Sequence, residues 1–260
     1  MVMTLAGGCR VAEMYEGEPL VNGGLRIWKQ VGRATGAQAI SLRVMEFAPG
    51  MSSAVRNSEC DEILYILNRG HLASAPSERH PARILINDCS HEVGPDSGVY
   101  IRPRETFAVF NPGPDSITII SAQCPDPDGE PEFVDVLASA PARDQTPIVR
   151  LADQKAQPTA DRWYRVLIDD RVGSTQATQF VGSIPPGRAP DHFHHYEEVL
   201  FILKGEGRMW AGESNTPIAA GSCIYLPKGQ VHCVENTGEG ELRLLGVFYP
   251  AGSPSVRYDV

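Results

Sequence analysis

Gly187-Arg-Ala-Pro-Asp-His-Phe-His-His-Tyr-Glu-Glu-Val-Leu-Phe-Ile-Leu-Lys-Gly205 is the stretch that decides how this chain folds. Alternate side chains of an extended strand share a face, so His192 and His194 can aim their rings at one spot. Glu198 keeps their parity and opens the apolar run Val199 to Leu203, and a tight turn after the histidines would bring its carboxylate back beside them. A second stretch, Gly221-Ser-Cys-Ile-Tyr-Leu-Pro-Lys-Gly-Gln-Val-His-Cys-Val-Glu-Asn236, answers the first and would deliver His232 from a neighbouring strand. Three neutral imidazoles and one carboxylate make a mixed nitrogen and oxygen donor set suited to a divalent transition metal, with positions left for water or substrate.

Parity also says what surrounds such a site. With Glu198 inward, Leu200 and Ile202 face in, as does Val234 beside His232, while Val199, Phe201 and Leu203 face out. A strand apolar on both faces is buried on both: the inner face lines a pocket and the outer one packs on another sheet or another subunit. Glu197, of opposite parity to Glu198, is the better candidate for an exposed carboxylate. His195 and Cys233 are each one residue out of phase, so the ring should leave the site and the thiol should pack as a small hydrophobe. Pro227, Gly229 and Asn236 shape the hairpin that presents His232.

These two stretches resemble the paired motifs of the cupin superfamily, G(X)5HXH(X)3,4E(X)6G and G(X)5PXG(X)2H(X)3N. The first departs by one residue, since four rather than five separate Gly187 from His192; the second fits throughout. The resemblance implies that His192, His194, Glu198 and His232 bind one divalent transition metal per chain (Fe, Mn, Zn, Ni, Co or Cu) inside a small β-barrel.

The pattern occurs twice. Ile40 to Gly50 parallels Ala177 to Gly187, Glu62-Ile-Leu-Tyr-Ile-Leu67 parallels Glu198-Val-Leu-Phe-Ile-Leu203, and Asn111-Pro-Gly parallels Asn236-Thr-Gly. The whole chain therefore resembles bicupins: all-β, two tandem double-stranded β-helix (jelly-roll-like) barrels, expected over residues 1–140 and 141–260. In the first copy, counting from Glu62 and Pro103 puts Arg56, Ser58 and Ala108 where histidines should stand. Only Glu62 survives, so no metal is expected there; Arg56 could pair with Glu62 in the old ligand cavity or grip an anionic ligand. Between the halves, Glu132 to Ala138 and Pro147 to Leu151 can each add an edge strand or a helical turn. Asp126-Pro-Asp-Gly-Glu130 lacks the later ligands of a calcium loop and is expected to be an acidic surface turn.

Composition agrees with a turn-rich β protein: of 260 residues, 25 are glycine and 21 proline. A net charge of −9 without a Lys/Arg block argues against nucleic acid. No apolar run reaches the roughly 20 residues that span a bilayer, and Met1 to Gly8 has no signal-peptide pattern, so a cytoplasmic protein away from membranes is expected. Six cysteines without short paired spacings point to reduced thiols.

The resemblance implies a metal-dependent enzyme acting on a small-molecule substrate, dioxygenase first among the classes, with Glu198 able to double as a general base. Alternatives are a non-enzymatic metal and small-molecule (sugar-like) binding bicupin, or a hydrolase, isomerase or decarboxylase such as a ureide aminohydrolase. The apolar outer face and the habit of the family both imply a homodimer.

Overall fold

Short strands punctuated by Gly and Pro turns build the whole chain, and a computed structural model describes residues 1–67, 81–139, 143–159, 161–256 and 258–259. Among these, four sheets are stacked. A seven-stranded sheet (Ile148–Arg150, Ser97–Ile101, Asp61–Ile66, Ile117–Cys124, Ser41–Phe47, Leu25–Val31, Leu20–Asn22) faces a six-stranded one across a core containing Leu64, Ile84, Phe107 and Val109. An eight-stranded sheet that includes Ser222–Leu226, Glu197–Lys204, Leu242–Tyr249 and Thr178–Ile184 faces another six-stranded one holding Glu206–Ala211, His232–Asn236 and His192–Phe193. The two larger sheets meet back to back through Leu42, Ile63, Tyr65, Val181, Val199, Phe201 and Val247. This is the all-β double-stranded β-helix architecture, in two copies.

Strand parity holds as read. Leu200, Ile202 and Val234 lie in the inner core of the second half, while Val199 and Phe201 face the first half, with Leu203 packed alongside. The outer apolar face is thus covered within the chain. The expected division at 140/141 lies outside the described residues, and the sheets cross it. Arg10–Glu13 pairs with Ser222–Leu226 of the second half, and Ile148–Arg150 pairs with Ser97–Ile101 of the first. Glu132–Val134 and Ile148–Arg150 are indeed edge strands, the latter followed by a 3-10 turn at Leu151–Asp153. All six cysteines are free, and all but Cys89 are buried. Among the described residues no helix is long and apolar enough to cross a membrane.

Four expectations need correcting. Glu197 is buried rather than exposed: it accepts hydrogen bonds from the Gln38 and Ala39 amides at 2.8 and 2.7 Å and from Tyr225 Oη at 2.6 Å, tying the halves together. Asp126 alone leaves the expected surface turn: it is buried against Lys29 Nζ (2.9 Å) and the Arg33 amide (3.0 Å), while residues 127–130 are exposed. Arg56 does not reach Glu62; it pairs with Glu132 at the surface, while Glu62 is answered by Arg43, with Ser121 Oγ donating at 2.9 Å. Last, the lost ligand positions shift by a residue. Gly50 faces Asn111 as Gly187 faces Asn236, and the Arg104 amide donates to the Ser58 carbonyl as the Gly229 amide does to that of His194. Ser58 keeps its place, but Val55 and Phe107 face one another where His192 and His232 do.

An extra residue between Val55 and Ser58, and a proline displaced by one, defeat counting along the chain. Both replacements are apolar and buried in the first core, each contributing about 1.5–3 kcal/mol of burial. Arg43 and Glu62, 4% and 0% exposed at their side chains, form a buried pair, whereas Arg56 and Glu132 are 45% and 57% exposed. Arg43→Ala should therefore cost about 3–5 kcal/mol by leaving a carboxylate uncompensated, and Arg56→Ala under about 1 kcal/mol. Urea unfolding of the two variants checks this; equal losses would contradict it.

Candidate metal centre

His192 and His232 stand directly opposite one another on adjacent antiparallel strands, which places their side chains on one face. Ala211, opposite His232 on its other side, leaves room for the ring. The expected hairpin is instead a turn that carries the chain from Ser222–Leu226 in one sheet to His232–Asn236 in the facing sheet, and it is set locally. Gly229 takes a left-handed φ of 76°, which a side chain would resist, and its amide donates to the His194 carbonyl at 2.7 Å. Asn236 closes the far end, donating to the carbonyls of Ile184 (2.8 Å) and Gly240 (2.7 Å) and accepting from the Gly238 amide at 3.0 Å.

The three rings converge. Candidate ligand atoms of His192, His194 and His232 all lie within 4.8 Å of one another, the one such gathering of three among the described residues. Glu198 stands outside this tight group but beside one member, with Oε2 3.4 Å from His194 Nε2. Atoms held about 2.1 Å from one ion in tetrahedral or octahedral geometry are roughly 3–3.4 Å apart, so that spacing fits two ligands of one cation. His195 is exposed, its ring 4.2 Å from that of Tyr258 and away from the cluster. Cys233 is buried and accepts from Arg188 Nε at 3.2 Å.

Tautomers are set by carbonyls. His192 Nδ1 lies 3.0 Å from the Pro190 oxygen and His232 Nδ1 2.8 Å from that of Gln230, so each Nδ1–H donates outward and each Nε2 keeps its lone pair for the centre. His194 Nδ1 is buried without a hydrogen bond, and its ring is held by stacking on Tyr196, 4.7 Å away at 10°. Burial, reinforced by the neighbouring imidazoles, pulls His194 down to about 3 and His232 down to about 4. Both are neutral at pH 7, the form that binds metal. Burial pushes Glu198 up to about 8. Two buried neutral imidazoles and a carboxylate starved of a counter-charge are what a bound cation would relieve, so the residues fit a divalent metal.

The cluster opens on one side into a cavity walled by Tyr164, Phe180, Leu200, Leu226 and Leu244. Parity had pointed to Leu200, but Tyr164 and Phe180 were missed. They come from strands outside both motifs, and their inward periodicity was the available signal. Tyr196, which stacks on both His194 and Phe248, and the strand Tyr258–Asp259 beside His192–Phe193 carried no motif at all.

A family model described as "Cupin domain" matches residues 180–248. A protein of Aquifex aeolicus carrying no assigned role is 33% identical over 86 residues, covering 32% of this chain and 69% of that protein. An oxalate-binding protein of Thermotoga maritima is 38% identical over 66 residues, 25% of this chain and 54% of its own length. Auxin-binding protein 1 of Arabidopsis thaliana is 36% identical over 70 residues, 24% of this chain and 35% of its own length. The chain thus spans between a third and just over half of these last two relatives. A mutant of Bacillus subtilis oxalate decarboxylase superposes with a TM-score of 0.73 at 13% identity, covering 93% of this chain and 77% of that one, a likeness of fold.

With Glu198 protonated in the metal-free protein and both buried imidazoles already neutral, uptake of a divalent cation at pH 7 should expel about one proton per chain. Affinity should rise with pH up to about 8 and level off above it. Calorimetric titration in two buffers of different ionisation enthalpy measures the proton count; none released would remove Glu198 from the ligand set.

Proposed function

The chain belongs to the cupin superfamily, and on that premise we propose that its second half is a metal-dependent enzyme centre for a small, oxygen-bearing organic molecule, with dioxygenase the leading class. The observation that carries this reading is the one-sided cluster: His192, His194 and His232 converge at the wall of an apolar cavity rather than inside a closed shell. Structural metal sites are closed, and catalytic ones keep a position open. His192, His194, His232 and Glu198 would hold the ion. When bound, it would supply Lewis acidity and, as iron or copper, a place for a chelating substrate and O2 to meet.

The remaining work falls to the chain. The Pro190 and Gln230 carbonyls orient the two opposed rings. Phe180, Leu200 and Leu244 exclude water and so strengthen polar interactions at the reacting end of the substrate. Glu198, whose Oε2 lies 3.4 Å from His194 Nε2, would give up its proton as the ion binds and, on loosening from it during turnover, would serve as the general base beside the cluster.

A second reading, a binding protein without turnover, draws on the names of two relatives, each called a binding protein. Oxygen uptake by the Fe(II)-loaded protein with catechols, diketones and hydroxy acids separates the two. Uptake that disappears in His192→Ala, while that variant keeps its fold, is expected. Carbon dioxide release without oxygen uptake would move the class to a decarboxylase, and no turnover with a tightly held metal would favour binding. Chelation should lower the melting temperature in either case, because a cation bound by the folded form alone stabilises it by linkage.

A further inference from the structure

Among the described residues the cavity wall carries one Lys or Arg, Arg162. It shares parity with Tyr164 and Val166 on the strand Arg162–Ile168, both of which face the inner core. Its side chain is 18% exposed, and Nε donates to Asp161 Oδ1 at 3.0 Å, an acid that is itself 64% exposed. Among the described residues no hydrogen bond is made by Nη1 or Nη2. Ala189 and Pro190, in the loop that leads into His192, line the same cavity.

Charge then discriminates between substrates. A divalent ion held by three neutral rings and one carboxylate leaves one positive charge, and Arg162 adds a second, in a chain of net charge −9. Elsewhere the wall is apolar and aromatic, through Phe180, Leu200 and Leu244. A neutral carbonyl takes a weaker hydrogen bond from the guanidinium, whereas a carboxylate matches its paired N–H donors with a full charge, and an apolar body covers the wall. Resting on the reading of the histidine cluster as a metal centre, we propose that the pocket selects an anionic molecule with three parts. A carboxylate binds Arg162 Nη1 and Nη2, an apolar or aromatic body lies against Phe180, Leu200 and Leu244, and oxygen donors at the other end reach His192, His194 and His232. Arg162 is on this account a specificity-determining residue, and a bare dicarboxylate such as oxalate lacks the body the wall would cover.

The test uses the full chain loaded with Zn(II), with metal content measured, and titrates 3,4-dihydroxybenzoate, 3,4-dihydroxybenzamide and oxalate by calorimetry into the wild type, Arg162→Gln and Arg162→Lys. The wild type should bind the benzoate about 10- to 100-fold more tightly than the amide, as a charge-assisted hydrogen bond in a covered site predicts. It should also bind the benzoate more tightly than oxalate. Arg162→Gln should level benzoate and amide, and Arg162→Lys should keep part of the preference. Equal binding of benzoate and amide by the wild type, a preference that survives in Arg162→Gln, or tighter binding of oxalate would each overturn the proposal. Zinc retained without a preference for the anion sinks this inference and leaves the metal centre standing. An Arg162-dependent preference in protein that holds no zinc sinks the metal centre and leaves only the contact between Arg162 and the carboxylate.

Discussion

A buried carboxylate must be answered by a positive charge, by hydrogen-bond donors or by a proton, and each half of this chain carries one at the same place in its fold. Glu62 and Glu198 stand near the start of equivalent strands and are 0% and 6% exposed. The first half answers with Arg43, aimed inward from the next strand but one, and fills the rest of the space with Val55 and Phe107. In the second half the residue that parallels Arg43 in the repeat is Phe180, a cavity wall, and three imidazoles gather instead. One half has its cation built in; the other is arranged to recruit one.

That contrast explains which features could be read from the chain alone. The convergence of His192, His194 and His232, with Glu198 beside them, is legible because strand periodicity and two fixed sheet-to-sheet turns convert spacing into direction. Glu62 is recoverable for the same reason. Its partner is not, because Arg43 lies on another strand and only sheet register brings the two together: Ser121 pairs with Arg43, and Gln123 on the same strand pairs with Glu62. Counting chose Arg56, which is nearer in sequence and lies on the outside of the sandwich.

Glu197 shows the opposite failure. Parity correctly turned it away from the histidine cluster, but away from the cluster means toward the first half, where Gln38 and Ala39 receive it together with Tyr225 of its own half. The first half repeats the arrangement, with Asp61 accepting from Tyr100 Oη at 2.8 Å. A polar residue beside an apolar face reads as solvent-exposed until the second sheet is known. The half without the histidine cluster thereby forms one wall of the packing that fixes the strand bearing Glu198, and having no such cluster does not make it dispensable.

The strand Arg10–Glu13 leaves the first half and adds itself beside Ser222–Leu226. This segment precedes the edge it must pair with by some two hundred residues. Until that edge is made its backbone donors and acceptors have no sheet to join, and a contact of such sequence separation is the kind that slows folding. Completion of the sheet that carries Glu198 is accordingly a late event, reached only after Ser222–Leu226 has been made.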